Sequence, residues 1–274
     1  MKSILVLVLS AVLTSCTTLS PSTSESRERY DQHVLSQISD FIQQRGSKEA
    51  KPVVVFDLDD TLFDARTRNL PIFKELAADQ DFAATFPDAA KKLAALTLPD
   101  VHYDVRHTLK AVDIQDEAAI KRVSEFWAQE FFSHRCADDA PLPGAATLVN
   151  QYASKGAVIV YLSGRDVPRM QACSRQSLKA KGFPTGKKTT HLILKPDPKG
   201  NDLEFKRQAF EAIDKLGDVV AVFENEPRNL NAMGEHFPRA VLVFVDSRHS
   251  TAPDQPTSEA HWIRDFFPGA PPEN

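Results

Sequence analysis

Glycine is scarce in this chain, 10 residues in 274, and aromatic side chains make up 8% of it. That composition gives no sign of a fibrous or disordered protein. No charge of one sign dominates. The formal net charge of −4 is a mildly acidic balance, which argues against a general nucleic-acid binder. No internal repeat occurs at solenoid periods. The apolar run at the start, Ile4–Leu9, is too short to span a bilayer. Cysteine is limited to Cys16, Cys136 and Cys173. What is present is 42% hydrophobic content, enough for a sizeable core and one or two domains.

The first residues read as a secretory signal: Lys2, then the apolar run, then small residues to Cys16. Leu13-Thr14-Ser15-Cys16 resembles a bacterial lipobox. The resemblance implies removal of 1–15, lipidation of Cys16 and anchoring to a membrane through that residue. Thr17 is not the aspartate associated with inner-membrane retention, so the implied location is the outer membrane, facing the periplasm or the surface. Residues 16–50 then hold a lipidated end, a polar tether over Thr17–Arg29 and an amphipathic helix over Tyr30–Gln44. An oxidising compartment permits Cys136 and Cys173 to pair; two isolated buried thiols are the alternative.

The chain is organised around Lys51–Leu62, KPVVVFDLDDTL. Val53–Phe56 is a continuous apolar run, as expected of a strand buried on both faces of a parallel sheet. It breaks into Asp57-Leu58-Asp59-Asp60-Thr61, three carboxylates at a strand's carboxyl end. Ligands of open α/β sheets sit there, and crowded like charges favour a divalent cation. If the chain bends at Asp57, then Asp57 and Asp59 face one pocket while Leu58 turns away. Asp57 suits a nucleophile, and Asp59 an acid for the leaving oxygen and a base for water. The plainer alternative is a strand end followed by an acidic helix cap.

Asp57-x-Asp59-x-Thr61 after an apolar strand resembles the first motif of the haloacid dehalogenase (HAD) superfamily. Residues 65–143 then turn helical, with Ile120-Val123-Phe126-Trp127-Phe131 the clearest periodicity. A helical insertion there resembles the C1 cap that selects substrates in that family. The Phe126-Trp127-Phe131-Phe132 cluster reads as core of that insertion. His102, Tyr103, Arg106 and His107 read as surface.

Strand and helix alternate again after Gly144. Ala145–Ser154 and Val167–Ala180 read as helices, and Ala157–Leu162, Thr190–Leu194, Val219–Phe223 and Val241–Val245 as strands. Ser163-Gly164 follows the second strand and resembles the family's second, phosphate-binding motif. Arg165 reads as a salt-bridging residue at a helix start. The third motif is a lysine. Lys206, opening the helix Asp202–Leu216, resembles it better than Lys195 does. Glu224-Asn225 stands where the family carries paired acids completing an Mg²⁺ site with Asp57 and the backbone carbonyl of Asp59. Asparagine is a hard but neutral ligand, so the site has one charge fewer than the usual pattern. Asn229 is placed to hold a metal-bound water.

The resemblance implies a Rossmann-like α/β core over 51–64 and 144–274, with a parallel sheet flanked by helices and an inserted helical cap. It also implies an Mg²⁺-dependent phosphohydrolase acting on small phosphorylated substrates through an aspartyl-phosphate on Asp57. Dehalogenase relatives generally lack an acid at the position of Asp59; phosphatases keep it, because an alkoxide leaving group needs a proton. The alternatives are a phosphotransferase of the same fold, and a non-catalytic ligand-binding lipoprotein that the Glu224-Asn225 departure would suit.

Overall fold

The computed structural model describes residues 29–45, 50–186 and 188–269. Cys16, the signal and most of the tether lie outside the described residues. Among those described, the strands are β1 (Pro52–Phe56), β2 (Phe63–Asp64), β3 (Ala140–Pro141), β4 (Val158–Asp166), β5 (Thr190–Lys195), β6 (Asp218–Glu224), β7 (Val241–Val245) and β8 (His261–Ile263). The helices are α1 (Val34–Arg45), α2 (Arg66–Ala78), α3 (Gln80–Thr85), α4 (Pro87–Ala95), α5 (Val105–Ala111), α6 (Glu117–Phe131), α7 (Ala145–Ser154), α8 (Val167–Ala180), α9 (Asp202–Asp214) and α10 (Pro227–His236).

Six strands form one sheet in the order β5-β4-β1-β6-β7-β8, every neighbouring pair parallel. The apolar run of β1 has the burial that its composition requires. Val54 and Phe56 join one core layer with side chains of α1 and α7, while Val53 and Val55 join the opposite layer with those of α9 and α10. Both faces are thus covered, as an all-parallel sheet demands. Helix α1 belongs to this core. Its Val34, Leu35, Ile38 and Ile42 are at most 1% exposed, and burying each contributes about 1.5–3 kcal/mol relative to exposure. Tyr152 of α7 donates its hydroxyl to the Leu35 carbonyl at 2.8 Å.

The stretch between β2 and β3 is helical and has its own core, including Phe73, Leu76, Phe82, Leu93, Leu109 and Val123. Acidic caps start three of its helices: Asp79, Asp104 and Asp116 accept N–H bonds at α3, α5 and α6. One short strand, β3, interrupts the helical stretch expected over 65–143. Where the chain leaves and re-enters the core, β2 and β3 pair antiparallel, Phe63 with Pro141 and Asp64 with Ala140. Strands of two residues have no readable alternation. At the far end β8 pairs with β7 and extends the sheet. The open question about the thiols is resolved as a disulfide. Cys136, in a 3₁₀ turn over His134–Asp138, bonds Cys173 of α8 with Cα atoms 5.8 Å apart, an ordinary disulfide span.

Candidate active site

Strands β4 and β5 lie on one side of β1, and β6, β7 and β8 on the other. The chain therefore reverses its direction of winding between β1 and β6. Loops leaving those two strands diverge and open a crevice at their carboxyl ends. Asp57 follows β1 and Glu224 ends β6, so the fold itself brings them to that crevice. The loop after Asp57 is tight: the Leu58 carbonyl accepts from the N–H groups of Thr61, Leu62 and Phe63 at 3.3, 2.9 and 2.9 Å. Leu58 is fully buried, so it turns away from the acids as the spacing suggested. Asp60 takes φ of 59°, in the left-handed region. Its carboxylate accepts from Ala65 N–H at 3.1 Å and from the Arg248 guanidinium, bonds that hold this strained residue in place.

Two charge clusters meet at the crevice. In the first, Lys206 reaches from α9 to place Nζ 2.8 Å from Asp57 Oδ1 and 2.6 Å from Glu224 Oε2. All three residues are buried. Burial, with the Glu224 charge and against Lys206, pushes the Asp57 carboxyl well above the usual range. Burial also works against the Lys206 ammonium, but Asp57 and Glu224 outweigh it and raise its pKa. Lys195, the competing lysine, is occupied elsewhere, donating to Gly200 O at 3.0 Å and to Asp202 at 2.5 Å.

The second cluster surrounds Asp59. Arg165 donates to both of its oxygens, Nε to Oδ2 at 2.8 Å and Nη2 to Oδ1 at 2.7 Å, and Arg68 Nη2 donates to Oδ1 as well. Burial disfavours the Asp59 carboxylate, but Arg165 and Arg68 outweigh it and hold its pKa well below the usual range. The same arginines bind Asp139, which is fully buried. None of Arg68, Asp139 and this use of Arg165 was visible in the sequence. Arg165 was read as a helix-start partner; Asp166 takes that part instead, capping α8 through Arg169 N–H at 2.9 Å.

Ser163 and Gly164, at the end of β4, line the same cavity of about 490 Å³ as Asp57, Asp59, Lys206 and Glu224. Ser163 Oγ accepts from Arg165 N–H at 3.3 Å, which leaves its own proton to donate. A Cβ on Gly164 would lie 2.5 Å from Asp202 Oδ2, so glycine lets the start of α9 approach β4 closely. The helical insertion supplies another wall: Tyr103, Arg106, Trp127, Phe131 and Phe132. Tyr103 and Arg106, read as surface, are exposed and also line this cavity. Tertiary folding turns their loop toward the acids, where Arg248 binds the carbonyls of Val101 and His102 at 3.4 and 3.0 Å. The aromatic rings are largely taken by one another. Trp127 stacks on Phe131 at 4.7 Å, Phe131 meets Phe132 edge-on, and Arg68 lies 4.0 Å from the Phe131 centroid.

Asn225 takes part in the loop packing beside the cavity. Its Oδ1 accepts from the Thr61 hydroxyl at 2.8 Å and its Nδ2 donates to Arg248 O at 2.5 Å. The side chain thus fastens β6 to the loop after β1 and to the 248 segment instead of presenting a free oxygen. Asn229 does present one: its Oδ1 is buried without a hydrogen-bond partner and lines the cavity. Among the described residues no three His, Cys, Asp or Glu side chains gather at metal-holding distance. The donors available are the Asp57 and Glu224 carboxylates, the Asp59 backbone carbonyl and Asn229 Oδ1. All are hard oxygens, and the cluster holds two carboxylates against one ammonium. The set fits Mg²⁺ chemically, with fewer charges than three acids would give.

A parallel α/β core with a buried acid–lysine–acid cluster at its topological switch point defines an enzyme of the strand-end carboxylate type. The family model described as "haloacid dehalogenase-like hydrolase" matches residues 51–235. The chain belongs to the haloacid dehalogenase-like hydrolases. No curated protein matches it. Among solved structures, a class C acid phosphatase from Bacillus anthracis is 19% identical with a TM-score of 0.41, covering 76% of this chain; this chain spans 66% of that one, just under two thirds. A putative phosphatase from Clostridium difficile is 12% identical, TM-score 0.47, with 74% and 89% covered. A predicted phosphoglycolate phosphatase from Haemophilus somnus is 13% identical, TM-score 0.43, with 78% and 94% covered. The functional reading that follows rests on the family and on the site.

Proposed function

We propose that the chain is a phosphohydrolase of small phosphomonoesters, working through an aspartyl-phosphate on Asp57. The observation that carries this reading is the acid at position 59 beside a lysine-bound Asp57. An acid two residues beyond the nucleophile is needed to expel an alkoxide. Asp57 attacks phosphorus, and the P–O bond to the alcohol breaks. Lys206 offsets charge on Asp57 and on the transferring group. Ser163 donates its hydroxyl to a phosphoryl oxygen. Asp59 gives a proton to the leaving oxygen, then takes one from the water that hydrolyses the acyl-phosphate.

In the structure both Asp59 oxygens accept from guanidinium groups, so the residue rests ionised. A phosphoryl group brought beside it competes for those guanidiniums and repels its charge, both of which favour proton uptake. The substrate monoanion, with a second pKa of about 6, can supply that proton. Mg²⁺, held by Asp57, Glu224, the Asp59 carbonyl and Asn229, would neutralise phosphoryl charge when bound. The helical insertion acts as the cap. Cys16, outside the described residues, anchors the chain to the outer membrane, where the accessible substrates are small.

The test is Mg²⁺-dependent release of phosphate from p-nitrophenyl phosphate and from an alkyl phosphate, with trapping of a covalent phosphoenzyme. Asp57→Asn should abolish the intermediate and lower turnover of both esters by about 10⁴-fold or more. Full activity in Asp57→Asn would overturn the reading. An active chain that passes phosphate to an alcohol in preference to water would make it a phosphotransferase. Membrane partition of the wild type and its loss in Cys16→Ser test the anchor separately.

A further inference from the structure

The mechanism above leaves one fully buried carboxylate unused. Asp139 is 0% exposed and sits where the helical insertion returns to the core, between the turn holding Cys136 and strand β3. Its Oδ1 accepts from Arg68 Nε at 2.8 Å; its Oδ2 accepts from Arg68 Nη2 at 3.1 Å and Arg165 Nη2 at 2.6 Å. The other bonds of these guanidiniums run to Asp59, to the Phe131 carbonyl at 3.1 Å and to Ser174 Oγ at 3.2 Å. Both arginines are buried. Without Asp139, two desolvated cations would face the single charge of Asp59, an arrangement that buried ion pairs tolerate poorly. The guanidiniums would then re-orient, and Asp59 would move with them. Arg68 stands at the start of the insertion, Asp139 at its end and Arg165 on the core strand β4.

We propose that Asp139 is a positioning residue that fixes Arg68 and Arg165 so that they aim Asp59 at the leaving oxygen, a role that rests on the phosphohydrolase reading. An anchor that merely ties the insertion to the core would affect stability and both esters alike. A positioning residue acts through Asp59 and has the selectivity of Asp59.

The experiment is a double-mutant cycle of Asp139→Asn with Asp59→Asn, assayed on p-nitrophenyl phosphate and an alkyl phosphate. In the otherwise wild-type chain Asp139→Asn should lower kcat for the alkyl ester by about 10–10²-fold and less for the aryl ester, with KM nearly unchanged. On the Asp59→Asn background Asp139→Asn should cost nothing further. Equal losses on both esters, or the same factor on both backgrounds, would overturn the proposal. Should Asp139→Asn fail to fold, Asp139→Glu takes its place in the cycle, because its longer arm still displaces the guanidiniums; non-additive loss supports the role and additive loss overturns it. A folded wild type that turns over neither ester overturns the phosphohydrolase reading and this role together. An active wild type with additive losses overturns this role alone.

Discussion

The two charge clusters at the crevice are built from similar parts to different totals. Around Asp59, two carboxylates face two guanidiniums, and the cluster closes on itself. Around Asp57, two carboxylates share one ammonium and one negative charge is left over. Both line one cavity at the sheet's carboxyl edge with most of their charged groups buried, where an uncompensated charge is costly. A balanced cluster needs nothing from outside and serves to hold geometry. An unbalanced one can be completed by a cation, and the hard oxygens beside it fit the Mg²⁺ proposed above. The difference separates the cluster that aims Asp59 from the one that a cation can complete.

Within this comparison the largest effect on stability should come from removing a compensating cation. Lys206→Ala should lower kcat by about 10²–10³-fold and destabilise the fold by about 3–5 kcal/mol, since two buried carboxylates then face each other alone. Added Mg²⁺ should restore stability to Lys206→Ala more than it stabilises the wild type, read as a shift in Tm. Arg68→Met should cost a similar amount from the balanced cluster with no greater response to Mg²⁺ than the wild type shows. Equal Mg²⁺ responses in the two variants would break the distinction. Lys195→Ala, whose lysine touches neither cluster, should leave kcat nearly unchanged.

A comparable loss is expected from the disulfide that ties the Asp139 segment to α8. Its loop spans 37 residues, so replacing both Cys136 and Cys173 with serine should lower stability by about 4 kcal/mol. Denaturant unfolding of the oxidised wild type against the variant measures it. A kcat loss confined to alkyl esters in the same variant would sharpen the link to Asp59.

The smallest effect concerns Asp60, beside both clusters. Burial, partly opposed by Arg248, pushes its carboxyl up to about 6. The folded state therefore holds this proton better than the unfolded chain. The stabilisation is complete below about pH 4 and is lost as pH rises through about 6, amounting to on the order of 3 kcal/mol. Asp60→Asn should lose that slope in metal-free buffer. A wild-type stability curve parallel to the variant's between pH 4 and 7 would contradict it.

The composition of the strands determined the core. Val53–Phe56 and Val219–Phe223 are apolar without interruption, and only a sheet covered on both faces buries such runs. Strand-end acids, a serine and a lysine in this order also carried the candidate site, because β1, β4 and β6 deliver Asp57, Ser163 and Glu224 to one edge by local geometry alone. Lys206 was legible through the family resemblance, as the lysine in the opening turns of the helix that follows β5. Arg68, Asp139 and Tyr103 were not. In sequence they are ordinary charged or polar residues of a helical stretch, and such side chains are usually solvated. The burial and partners of Arg68 and Asp139 come from contacts across 71 and 26 positions, Arg68 with Asp139 and Asp139 with Arg165, and Tyr103, which stays exposed, reaches the cavity wall only through the fold of its loop. No periodicity encodes a pairing at that range. Asn225 marks the same boundary: its chemistry permitted ligation, and only the packing of Thr61 and Arg248 around it decided that its amide would fasten the loops together.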